Sequence, residues 1–102
     1  MLCACILIDK PNSAALRQEH RPSHKVYLGQ VADKIAFAGP LHADDGTTMI
    51  GSLLVIDFPS VPAAKAWLAD EPFTRVGLYG RAEVFPFSNL WPQKAGFPKE
   101  AT

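Results

Sequence analysis

Proton chemistry near neutral pH needs an imidazole or a carboxylate in an unusual setting. This 102-residue chain offers one such set: His24, Arg21 three residues before it, and the carboxylates of Asp9, Asp70 and Glu71. An imidazole beside a carboxylate is a general acid/base whose tautomer and orientation the carboxylate fixes. The sequence leaves open which acid stands beside His24. It also leaves open plainer readings, with His24 a polar residue in a helix's first turn, Asp9 a turn residue, and Asp70 and Glu71 a solvated helix end. His20 and His24 have the i, i+4 spacing of metal ligands, but Pro22 lies between them and no glutamate completes a zincin motif, so no metal site is expected. Asp44, Asp45 and Gly46 lack the repeating acids of an EF-hand loop and read as a turn. Cys3 and Cys5 would share one face of a strand, a poor starting geometry for a disulfide, and are expected to be buried reduced thiols. There is no Walker loop, no GxGxxG after the first strand and no serine elbow, so no nucleotide or other cofactor is expected.

Those residues must be held by one small core. The length fits a single domain of one sheet against one layer of helices, with 48% hydrophobic and 20% charged residues. Ten basic and ten acidic residues cancel without forming a block, which argues against nucleic acid or an anionic membrane as partner. No apolar run is long enough to span a bilayer. The N-terminal MLCACILI meets Asp9 and Lys10 at once and lacks a basic lead, so it reads as a strand rather than a signal sequence, in a cytoplasmic protein.

The organising stretch is residues 34–58, an apolar strand, a polar turn and a second apolar strand, which is an antiparallel hairpin pattern. Around it the spacing predicts a central first strand at Leu2 to Ile8 and helix from Ala14, interrupted at Pro22. The main helix should run from Pro22 to about Ala32, with His24 in its first turn and Val26, Tyr27 and Val31 facing the sheet. A dipole at that helix start would lower the basicity of His24. Strands follow at Ile35 to Ala38, closed by Gly39 and Pro40, and at about Ile50 to Phe58. Ser60 caps a helix from Val61 to Ala69, a turn of helix lies near Phe73 to Val76, and a fourth strand spans Arg81 to Phe87.

The order βαββαβ is that of a ferredoxin-like α+β fold, a four-stranded antiparallel sheet with both helices on one face. Strands one to three are apolar on both sides, so the other face is expected to form a homodimer interface. This topology brings Asp9, Arg21, His24, Gly39, Pro40, Asp70 and Glu71 to one rim of the sheet. Residues 1–90 form the expected domain. Residues 91–102 are a tail, either a loose end or a flap over a cleft.

RPSHKVYL at Arg21 to Leu28, AGPL at Ala38 to Leu41, IGSLLVIDF at Ile50 to Phe58, AWLADEPF at Ala66 to Phe73 and VFPF at Val84 to Phe87 together resemble the YciI-like (YCII-related) family, in order and spacing over residues 1 to 90. The resemblance implies a dimeric ferredoxin-like fold related to dimeric α+β barrels, with a His and Asp pair in a cleft. His24 falls on the family histidine and Asp9 on the acid after strand one. Glu71, Pro72 and Phe73 stand where the family has Asp-Pro-aromatic, so a glutamate replaces the usual aspartate and Asp70 comes one place early. The family includes a dehydrochlorinase acting on a chlorinated hydroxyquinol.

The expectation is therefore a cofactor-independent enzyme in which His24, held by Asp9 or Glu71, moves a proton on a small cyclic or aromatic substrate, in elimination or isomerisation. Arg21 would take an anionic group, Gly39 would allow close backbone approach, and Pro40 and Ser52 complete the substrate-binding positions. The alternative is a non-catalytic dimeric module that binds a small ligand or a partner.

Overall fold

The computed structural model describes residues 1–91, in the order β1 (Leu2–Asp9), α1 (Ala14–Gly29), a 3-10 turn (Ala32–Lys34), β2 (Ile35–His42), β3 (Met49–Asp57), α2 (Val61–Ala69), α3 (Pro72–Arg75) and β4 (Tyr79–Pro86). The sheet order is β2-β3-β1-β4 and every pairing is antiparallel, as the ferredoxin-like expectation requires. Of the tail expected at residues 91–102, all but Trp91 lies outside the described residues. No helix among the described residues is long and apolar enough to cross a membrane.

β1 takes a central place because alternate residues serve two faces. Cys3, Cys5 and Leu7 are fully buried with Leu54 and Ile56 of β3 and Ala64 and Leu68 of α2, so this face carries the helices and the core. Asp9 follows Leu7 on the same face, where the sheet reaches the start of α1. Gly51 makes that end of the sheet possible: a Cβ there would lie 2.2 Å from the Leu7 carbonyl oxygen, so only glycine lets β3 lie this close to β1. It delivers the next residue, Ser52, to the helix side opposite Leu7.

The break expected at Pro22 does not occur. α1 runs through it as one helix of 16 residues, and His24 lies past its middle rather than in a first turn. Pro22 and Gln18 are both on the exposed side, so water can satisfy the Gln18 carbonyl that loses its i+4 donor. The helix-start dipole expected at His24 is therefore absent. The inward face also differs: Arg17 and His24, two turns apart, are its buried residues, while Val26 is 69% exposed.

β2 extends beyond its expected end at Ala38, through Gly39 and Pro40 to His42. Among the described residues it is an edge strand that pairs only with β3, and a proline lacking its N–H is tolerated there. The β2–β3 loop is closed by Asp45, whose Oδ1 accepts from the Thr47 and Thr48 backbone N–H groups, both at 2.9 Å. The Thr48 hydroxyl first and these amides next hold the Asp45 carboxyl down to about 2. At α2 the expected cap is present, with Ser60 Oγ accepting from Ala63 N at 3.2 Å. On the sheet face without helices, Ala4, Ile6, Ile8 and Leu53 are half-buried, and Phe37 and Phe85 are 38% and 47% exposed.

Candidate active site

Two buried acid–base pairs meet between α1, β1 and α3. Asp9, at the end of β1, takes the Arg17 guanidinium in a fork: Nε donates to Oδ2 at 2.7 Å and Nη2 to Oδ1 at 2.9 Å. Arg17 Nη2 also donates to Ser52 Oγ at 3.0 Å. The Asp9 and Arg17 side chains are 5% and 4% exposed.

The second pair joins His24 to Glu71. Glu71 is the N-cap of α3: it has extended backbone, its side chain turns back to accept from the Phe73 N–H at 3.2 Å, and Pro72 fills the first helical position. This cap geometry points the carboxylate into the interior, where the residue is fully buried. Glu71 Oε1 also meets His24 Nδ1 in a short hydrogen bond, and Oε2 accepts from the Tyr79 hydroxyl at 2.9 Å. Three donors converge on one carboxylate, so both of its oxygens are engaged as acceptors.

Phe73 holds the two pairs apart and in line. The His24 ring stacks on it at 4.1 Å with an interplanar angle of 17°, Arg17 Cζ lies 4.7 Å from its centroid, and Tyr79 meets it edge-on at 6.0 Å. With Nδ1 donating to Glu71, a neutral His24 carries its lone pair on Nε2. The arrangement can therefore take a proton at Nε2 and stabilise the resulting imidazolium through Glu71. The Tyr79 hydroxyl is pushed far above the usual phenol range, by burial first and then by the charge and hydrogen bond of Glu71. Arg17 and Ser52 act in the opposite direction.

The structure answers the question left open by the sequence: Glu71 contacts His24, and Asp9 is committed to Arg17. Asp70 is exposed at the C-cap of α2 and belongs to neither pair. Arg21 is half-buried and lines a shallow hollow with Gln18, Pro22 and Lys25, apart from both pairs. Ser52 lies inside the cluster under Arg17, 2% exposed. Pro40 pairs with Ser52 in register and Gly39 with Leu53, both on the exposed edge strand, so Pro40 lies beside the Ser52 end of the cluster. Sequence reasoning missed Arg17, Phe73 and Tyr79 as members of the site. Arg17 stands seven residues before His24, the spacing of one helix face over two turns, a signal that an uninterrupted helix would have exposed. Tyr79 precedes the expected start of β4 and carried no such signal. Among the described residues, no group of three or more His, Cys, Asp or Glu is arranged to hold a metal ion.

Comparison with known proteins places this geometry in context. The model of the YCII-related domain matches residues 1–88. Protein YciI of Escherichia coli O6:H1 strain CFT073 is 31% identical over 98 residues, covering 89% of this chain and all of that protein. An uncharacterized protein of Haemophilus influenzae is 30% identical over 90 residues, covering 81% of this chain and 92% of its own length. Among solved structures, 5-chloro-2-hydroxyhydroquinone dehydrochlorinase (TftG) from Burkholderia phenoliruptrix AC1100, in complex with 2,5-dihydroxybenzoquinone, superposes with a TM-score of 0.80 at 27% identity. The match covers 86% of this chain and 94% of that one.

Proposed function

The chain belongs to the YCII-related domain family, and on that premise we propose that it is a cofactor-independent enzyme acting on a small cyclic or aromatic substrate. His24 is its acid/base and Glu71 the carboxylate that holds it. The observation that carries this reading is the buried contact between His24 Nδ1 and Glu71, which leaves Nε2 as the proton acceptor. The likeness to a dehydrochlorinase directs the reading toward elimination. In that reaction Nε2 takes a hydroxyl proton from a chlorinated polyhydroxybenzene, the oxygen's electron pair becomes a carbonyl, and chloride leaves with the electrons of its bond after ring tautomerisation. The products are a hydroxyquinone and HCl, and no external oxidant is required. Isomerisation of a related ring uses the same base without loss of halide.

Support for substrate placement comes from Pro40, paired with Ser52 on the exposed edge strand, and its neighbour Gly39; Arg21, in its own hollow on α1, would take an anionic group that extends away from the pairs. The uncovered apolar sheet face supports docking of a second copy of the chain, and sedimentation at micromolar concentration tests it: a single monomeric species overturns the dimer. Two buried, unpaired thiols fit a reducing, cytoplasmic setting. The enzymatic reading is tested by chloride release from a panel of chlorinated hydroxyquinols. His24→Ala is expected to lower the rate by about 10²–10⁴-fold, and a rate that survives this change overturns the assignment.

A second reading rests on the closed packing of the cluster, in which the His24 side chain is only 9% exposed. In it the chain is a small-ligand-binding module without turnover. Ligand affinity that persists in His24→Ala with no turnover in either protein would favour it.

A further inference from the structure

Resting on the assignment of His24 as the proton-transferring group, we propose that Tyr79 is the positioning residue of this site: its hydroxyl holds Glu71 Oε2 so that Oε1 stays an acceptor aimed at Nδ1, and so fixes the imidazole lone pair on Nε2. Glu71 has two oxygens in a fully buried place, and Tyr79 supplies the hydrogen bond to Oε2, at 2.9 Å. Oε1 is already shared between His24 Nδ1 and the Phe73 N–H. Removing the phenol hydroxyl leaves Oε2 without a donor, and a buried carboxylate that loses a donor is driven toward its protonated form. A protonated Glu71 would donate to Nδ1 instead of accepting from it. The ring proton would then sit on Nε2, and the base would be lost without any change in the position of His24.

Tyr79 is the donor that Glu71 Oε2 has in the structure. Arg17 has its guanidinium engaged by both Asp9 oxygens and by Ser52. The phenol is also mechanically coupled to the imidazole, since Tyr79 meets edge-on the same Phe73 ring on which His24 stacks. Its raised proton affinity keeps the hydroxyl a donor throughout the neutral range, with burial the largest cause.

The test reads the tautomer directly and does not need a substrate. In long-range proton–nitrogen spectra of the ¹⁵N-labelled protein, at a pH where the ring is neutral, His24 of the native chain should show Nδ1 in the N–H range and Nε2 in the lone-pair range. In Tyr79→Phe, Nε2 should shift toward the N–H range and the slowly exchanging Nδ1 proton should be lost, while the Arg17 Nε–H signal stays in place as a reporter of the fold. In a Glu71→Gln background the same substitution should add no further shift, because the effect passes through the carboxylate. Should Tyr79→Phe fail to fold, 3-fluorotyrosine at position 79 donates a stronger hydrogen bond without altering shape, and the Nδ1 proton should move upfield. Native shifts for His24 in Tyr79→Phe, an equal change in the Glu71→Gln background, or no response to fluorination would overturn the proposal. These outcomes are independent of turnover. If the tautomer responds as described but chloride release survives His24→Ala, the enzymatic reading fails while the role of Tyr79 stands.

Discussion

The two buried pairs look alike and behave as opposites. Asp9 and Arg17 are joined by a two-point fork of carboxylate and guanidinium, and Ser52 takes up a remaining donor. The His24–Glu71 pair is joined at one point, and its imidazole can carry a proton on either ring nitrogen. Both clasp α1 to the structure beneath it, one to the end of β1 and the other to the cap of α3. The fold thus separates two tasks along one helix: a permanent pair anchors its first half, and a switchable pair occupies its second half. Phe73, in contact with Arg17 and His24, stands between them.

Breaking each pair should expose this difference. Asp9→Ala leaves the Arg17 charge buried without a counter-charge and should cost about 3–5 kcal/mol in urea unfolding, with much of the loss recovered in the Asp9→Ala/Arg17→Met double variant. Equal losses for the single and double variants would show that the pair is not the cause. Glu71→Gln keeps the shape and an acceptor oxygen, so its cost should be smaller, about 1–3 kcal/mol, while chloride release falls sharply. A variant that is destabilised but fully active would make the two pairs equivalent.

The core beneath the anchoring pair should show its own pH signature. Burial chiefly, with the neighbouring Cys3 thiol adding to it, pushes Cys5 up to about 11. Because the folded value lies above the unfolded one, the contribution of this thiol is intact below about pH 9 and is lost as pH rises through about 11. Tyr79 contributes the same sign of dependence from about pH 10 upward. Stability measured between pH 9 and 11 should fall less steeply in Cys5→Ala than in the native chain, and parallel slopes would contradict this. The smallest effect should come from Asp70, which is exposed and outside both pairs. Asp70→Ala should change stability by no more than about 0.5 kcal/mol and leave any activity intact.

Much of the fold was legible because local signals agreed with the global arrangement. The central place of β1, the turn at Asp45, the Ser60 cap and the order of elements all follow from short-range chemistry. Pro22 misled because a proline's effect depends on whether the carbonyl it strands faces solvent, and exposure is not written in the neighbouring residues. Breaking α1 there rotated the predicted inner face onto Val26 and hid Arg17, whose burial depends on Asp9 and Ser52 arriving from other elements. His24 and Glu71 were legible as candidates. Their pairing was not, since it depends on Glu71 turning back as the cap of a four-residue helix.

The most direct test of the account is a structure of the chain with 2,5-dihydroxybenzoquinone bound. The division of labour between the pairs predicts a ring oxygen within about 2.6–3.2 Å of His24 Nε2, with the Asp9–Arg17 fork undisturbed. A ligand seated against Arg17 and Asp9, with His24 Nε2 out of reach, would contradict it.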